Sequence, residues 1–163
     1  MSEPLHKLAC EVGAILQTQG RVLATAESCT GGWIAKAITD IPGSSLWFER
    51  GFVTYSNEAK RDLLGVRETT LKAYGAVSAE TVAEMAVGTL ARSRADVAVA
   101  VSGIAGPDGG SPDKPVGTVW LGWAVRSGAT HTRHYAFSGD REAVRRQAVF
   151  AALEGVLDVI GKS

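Results

Sequence analysis

Asp96-Val97-Ala98-Val99-Ala100-Val101-Ser102 is a nearly unbroken apolar run that leads directly into Gly103-Ile104-Ala105-Gly106-Pro107-Asp108-Gly109-Gly110. A continuous apolar segment of this length, closed by glycine and proline, fits a central strand buried on both faces. Burial on both faces requires helices above and below the sheet. The flanking sequence supplies them. Upstream, Ser78 is a cap for a helix over 79–94 with Val82, Ala83, Met85, Ala86, Thr89 and Leu90 inward. Downstream, 116–125 and 129–137 meet at Arg126-Ser-Gly-Ala129 as a hairpin, and Asp140 caps a helix over 141–160 that carries Val144, Ala148, Ala151, Ala152 and Leu157 inward.

Further toward the N-terminus, Leu5, Leu8, Ala9, Val12, Ile15 and Leu16 recur at helical spacing over 3–19, ended by Gly20. A strand over 21–26, a helix over 33–38, a loop at 41–45 and an aromatic-rich strand over 46–55 follow. Asn57 is expected to cap a short helix to Leu64 with Gly65 as its stop, and 68–74 is a second short helix ended by Gly75. Strands interleaved with helices predict a single three-layer α/β/α domain over 1–163, with a mixed, mostly parallel sheet whose antiparallel part is the hairpin.

Composition narrows the function classes. Seventeen basic residues balance seventeen acidic ones in 163 residues, which speaks against a dedicated nucleic-acid partner. Cys10 and Cys29 make no disulfide scaffold and have no metal-ligand spacing. The N-terminus lacks a basic-then-apolar leader, and no apolar run approaches the ~18 residues of a membrane span. A cytoplasmic protein with no membrane partner and no metal is expected. Four tryptophans, among them Trp33 on a helix and Trp47 beside Phe48, exceed what a small core must bury. They predict a homodimer or higher homo-oligomer.

Two glycine-bearing loops follow strands, where open α/β sheets bind ligands. Ala26-Glu-Ser-Cys-Thr-Gly-Gly32 joins a strand to a helix; Ser102-Gly-Ile-Ala-Gly-Pro-Asp-Gly-Gly110 follows the central strand. Neither carries a Walker A or G-x-G-x-x-G pattern, so ATP and NAD are not implied. A helix N-terminus after such a loop suits a phosphate or an oxyanion, with Gly31, Gly32, Gly103, Ala105 and Gly106 as backbone contacts. Ser28 sits at a strand-to-helix turn, like a nucleophile elbow, with the amides of Cys29 and Thr30 as an oxyanion hole. The same position also suits a plain helix cap. His6, His131 and His134 read as surface residues, so a base must come from elsewhere. Lys60 serves if burial lowers its pKa, and is otherwise a solvated helix lysine. Tyr55 beside it is a proton relay or a stacking surface. Cys29 is the rival nucleophile, though no histidine partners it. Arg141 and Arg145 share a helix face and together could clamp a phosphate.

Thr25-Ala-Glu-Ser-Cys-Thr-Gly-Gly32, Thr54-Tyr-Ser-Asn-Glu-Ala-Lys60, Gly75-Ala-Val-Ser78, Ser102-Gly-Ile-Ala-Gly-Pro107, Lys114-Pro-Val-Gly-Thr118 and Phe137-Ser-Gly-Asp-Arg141 together resemble the CinA C-terminal domain, the nicotinamide-nucleotide amidase family. The resemblance runs from about residue 5 to 160. It implies hydrolysis of nicotinamide mononucleotide (NMN) to nicotinate mononucleotide and ammonia, without a metal or other cofactor. It places the family's serine nucleophile on Ser28, its lysine base on Lys60 and its tyrosine on Tyr55. Where the family often has threonine, this chain has Ser102, which keeps the hydroxyl. Many members carry an extra N-terminal domain; this chain is expected to act as a stand-alone amidase. A nucleotide-binding regulatory module without turnover is the alternative.

Overall fold

Alternation along the central strand sorts the molecule into layers. The computed structural model describes residues 3–161. Its elements are α1 (Glu3–Gln19), β1 (Leu23–Glu27), α2 (Trp33–Thr39), β2 (Phe48–Val53), α3 (Asn57–Leu64), α4 (Glu68–Tyr74), α5 (Ala79–Ala91), β3 (Val97–Gly103), β4 (Thr118–Val125), β5 (Thr130–Ala136) and α6 (Arg141–Gly161). The strands lie in the order β2-β1-β3-β4-β5. β1 pairs in parallel with β2 and β3, while β3–β4 and β4–β5 are antiparallel. β4 therefore runs against the direction of the other strands, the mixed sheet the sequence predicts.

In β3 the valines 97, 99 and 101 join the core under α1, α2 and α6. The alanines 98 and 100 face the opposite core under α5, together with Ala24, Ala26 and Ala124. Large residues on one face and small ones on the other follow from the period of two along a strand. The small row lets α5 approach the sheet closely. α5 itself lies so near the end of α3 that a Cβ on Gly88 would strike the Leu64 carbonyl.

Several boundaries move. The expected strand over 46–55 begins with a 3-10 turn, Ser44–Leu46, and pairs only over 48–53. Ser56, not Asn57, caps α3 by accepting the Ala59 N–H at 3.0 Å. α5 ends at Ala91, short of 94. Ser78 and Asp140 cap as expected, accepting from Thr81 and Ala143. The tryptophans are not surplus surface. Trp47 packs against Gly13 of α1, and the buried Trp123 donates its indole N–H to the Ala152 carbonyl of α6 at 3.0 Å. Trp33 and Trp120 are half-buried. None of the four tryptophans is an exposed aromatic of the kind that marks a subunit contact.

Candidate active site

The last residue of β1 and the one that follows it serve opposite layers. The buried Glu27 points into the α2 layer, where its carboxyl group accepts from the Thr30 hydroxyl (2.6 Å) and from the N–H groups of Ile34 (2.8 Å) and Ala35 (3.0 Å). Two N–H groups in the first turn of α2 are thus satisfied from within by a buried carboxyl group, which leaves the amides of the turn before it, not those of Ile34 and Ala35, for an outside anion. No sequence reading assigned Glu27. The signal was present: a carboxyl residue just before a turn and a helix start is a capping group. Gly31 and Gly32, at φ of 59° and 105°, supply the left-handed backbone that turns the chain into α2.

Ser28, one residue on, faces the α3 layer. Its N–H donates to the Val101 carbonyl of β3 at 3.1 Å, which ties this turn to the second glycine loop. Its hydroxyl does not cap α2. Instead Lys60 Nζ, on α3, donates to Ser28 Oγ at 3.0 Å. The same ammonium donates to the carbonyls of Thr54 and Tyr55, each at 3.0 Å. The Ser28 hydroxyl lies 3.4 Å from the Tyr55 carbonyl as donor. Lys60 is only 1% exposed, and burial lowers its pKa from 10.5 to about 8. The carbonyl acceptors hold two N–H groups of Lys60. When the third proton is lost, the remaining lone pair faces Ser28 Oγ.

Cys29 beside it is in the reverse condition. Burial pushes its thiol up to about 11, so it stays protonated at neutral pH and is a poor nucleophile. Ser28 carbonyl accepts from Gly31 N–H at 3.0 Å, while the N–H groups of Cys29 and Thr30 donate to no backbone carbonyl among the described residues, and the Cys29 N–H lies against its own thiol.

Ser28, Cys29, Tyr55, Lys60, Ser102, Gly103, Ala105 and Arg141 line one cavity of about 190 Å³. Asn57, freed from capping, and Ala76-Val77 line it as well. The Ser102 side chain makes no hydrogen bond there. The Tyr55 phenol is exposed and engages neither Ser28 nor Lys60; it is the Tyr55 carbonyl that reaches them. Arg141 spans the rim, donating to the Gly106 carbonyl at 2.8 Å and to the Tyr55 hydroxyl at 3.4 Å.

Arg145 does not share this cavity. With Thr30, Gly31 and Gly32 it lines a separate one of about 780 Å³ beside Trp33 and Arg146. Its guanidinium donates to the carbonyls of Cys29 (3.0 Å) and Thr30 (3.1 Å) and lies 5.6 Å from the Trp33 ring centre. The expected two-arginine clamp is split, because each guanidinium ends on a different loop.

The fold and this pair define an α/β protein with a buried serine–lysine centre at the carboxyl edge of its sheet. The chain belongs to the CinA C-terminal domain family, which it matches over residues 5–160. It is 63% identical over 158 residues to the nicotinamide-nucleotide amidohydrolase PncC of Enterobacter agglomerans, covering 96% of each chain. It is 62% identical over 150 residues to the PncC of Escherichia coli K12, covering 92% of this chain and 91% of that one. The crystal structure of competence/damage inducible protein CihA from Agrobacterium tumefaciens superposes with a TM-score of 0.95 at 46% identity, covering 99% of this chain and 98% of the other.

Proposed function

We infer that this chain is an amidohydrolase that converts nicotinamide mononucleotide to nicotinate mononucleotide and ammonia in pyridine nucleotide recycling. The amidohydrolases it resembles over nearly their full length support the substrate. The observation that carries the chemistry is the 3.0 Å contact between Ser28 Oγ and a buried lysine whose other N–H groups are held by backbone carbonyls.

Neutral Lys60 accepts the Ser28 proton as Oγ attacks the carboxamide carbon. The amides of Cys29 and Thr30 receive the developing oxyanion. Lys60 returns its proton to the amide nitrogen, the C–N bond breaks and ammonia leaves, with nicotinate held as an ester on Ser28. Water then attacks that ester, giving a proton to Lys60. The tetrahedral adduct collapses, the C–O bond to Ser28 breaks, and Ser28 recovers its proton. Arg141 at the rim suits the 5′-phosphate, Tyr55 offers its exposed ring to the pyridine, and the free Ser102 hydroxyl and the Gly103–Gly106 loop complete the wall.

The whole chain as one domain, a cytoplasmic setting and a closed homo-oligomer belong to the same reading. Both cysteines are free, and Leu46, Val53 and Leu63 are exposed apolar side chains of the kind a subunit contact covers. No helix among the described residues is long and apolar enough to cross a membrane.

Purified chain incubated with NMN should release ammonia and nicotinate mononucleotide in equal amounts, followed by a glutamate dehydrogenase assay and by chromatography. Ser28→Ala should lower the rate by about a thousandfold or more while leaving the melting temperature near that of the parent. Binding of NMN without ammonia release would instead support the non-catalytic regulatory module.

A further inference from the structure

Arg145 links α6 to the Ser28 turn across 116 positions of sequence. In a trans peptide the C=O and N–H point in opposite directions. The Cys29 carbonyl and the Thr30 N–H belong to one such unit. Drawing that carbonyl onto Arg145 Nε, at 3.0 Å, turns the Thr30 N–H away from Arg145. The preceding unit is fixed by the backbone alone: Gly31 N–H donates to the Ser28 carbonyl at 3.0 Å, which turns the Cys29 N–H the other way. The Cys29 amide is therefore oriented by the turn itself, and the Thr30 amide by a side chain from a distant helix.

We propose that Arg145 is a positioning residue for the hydrolysis: it fixes and polarises the Cys29–Thr30 peptide so that the Thr30 N–H serves as an oxyanion donor, and it does not contact substrate. The proposal rests on the Ser28 hydrolase reading. Both groups it donates to are protein carbonyls, and its guanidinium lies 5.6 Å from the Trp33 ring centre. Thr30 shares the Arg145 cavity, but the Cys29 carbonyl faces Arg145, so the Thr30 N–H at the other end of that peptide points away from it. The planar fork spans two neighbouring carbonyls, which the point charge of a lysine does not reproduce. A hydrogen bond from a cation to a peptide carbonyl also strengthens donation by the N–H at the other end of that peptide.

The test uses the full chain with NMN. Removing one oxyanion donor lowers kcat by about 100- to 1000-fold. Arg145→Lys and Arg145→Gln should both lower kcat by about 30-fold or more, with KM within about threefold of the parent and the pH midpoint of kcat/KM unchanged. In Arg145→Gly, added guanidinium ion should restore kcat by about tenfold, whereas methylammonium should not. If the glycine variant does not fold, the lysine and glutamine variants decide the matter. A kcat within about threefold of the parent in Arg145→Gln would overturn the proposal, as would a loss confined to KM, which would put Arg145 on the substrate. Ser28→Ala is run beside them. Turnover surviving there overturns the Ser28 reading itself; a dead Ser28→Ala beside an active Arg145→Gln overturns only the role of Arg145.

Discussion

Lys60 must be neutral to act as a base, and its surroundings set how often it is. With a pKa of about 8, roughly 9% of the lysine is neutral at pH 7; at the ordinary 10.5 the figure is about 0.03%, a difference of roughly 300-fold in competent enzyme. The kcat/KM for NMN should rise about tenfold from pH 7 to 10 and level above about 9, reporting the free enzyme. Lys60→Arg keeps the charge, but a guanidinium stays protonated across this range, so kcat should fall by about a thousandfold or more. The same ionisation acts on stability. The unfolded lysine keeps its proton up to about 10.5 and the native one loses it near 8, so between those values the unfolded state binds more protons and stability rises with pH. Between pH 8 and 10 the parent should gain about 2 kcal/mol relative to Lys60→Met, by urea denaturation at each pH. A flat pH–rate profile between pH 7 and 9, or an active Lys60→Arg, would falsify the base role and make Lys60 a fixed cation.

Three further outcomes are expected. Cys29→Ala should keep kcat within about threefold, and the parent thiol should resist iodoacetamide at pH 8, since a group near 11 is about 0.1% thiolate there; rapid stoichiometric alkylation would contradict this. Arg141→Ala should raise KM for NMN by about 10- to 100-fold, the worth of one charge-assisted phosphate contact, with kcat largely kept and the slow reaction of the riboside unaffected; equal losses on both substrates would remove Arg141 from the phosphate. Gly88→Ala forces a Cβ onto the Leu64 carbonyl between α5 and α3, and should cost about 2–3 kcal/mol, or about 5–10 °C in melting temperature; a shift below about 2 °C would show that the two helices part easily.

The element order was legible because most helices carry a stop or cap and the inner strands β1, β3 and β4 carry apolar runs, while the polar edge strand β5 follows from the turn that joins it to β4. Ser28 and Lys60 drew attention by standing in the segments that follow strand ends, where position alone left a helix cap and a solvated lysine open, and the family resemblance singled them out. What escaped depends on facing, which a one-dimensional reading does not resolve until a partner is known. Asn57 and Ser56 are neighbouring cap formers, and a slip of one position decided which side chain was left for the cavity. Arg141 and Arg145 share a face but stand about 6 Å apart along the helix axis, enough to send them to Gly106 and to Cys29–Thr30 respectively. Tyr55 drew notice for its phenol, yet it is the backbone of that residue that holds Lys60.

Glu27 and Ser28 are consecutive in the chain but belong to opposite sides of the sheet. Inserting or deleting a single residue in β1 would exchange them, sending a carboxyl group toward the lysine and leaving a hydroxyl to hold the start of α2. The centre is consequently intolerant of length changes in the buried strand that precedes it. Redesign of the specificity of this enzyme has its freedom in the walls, at Asn57, at Ala76-Val77 and along the loop beyond Gly103, where the backbone can be rebuilt without disturbing that parity.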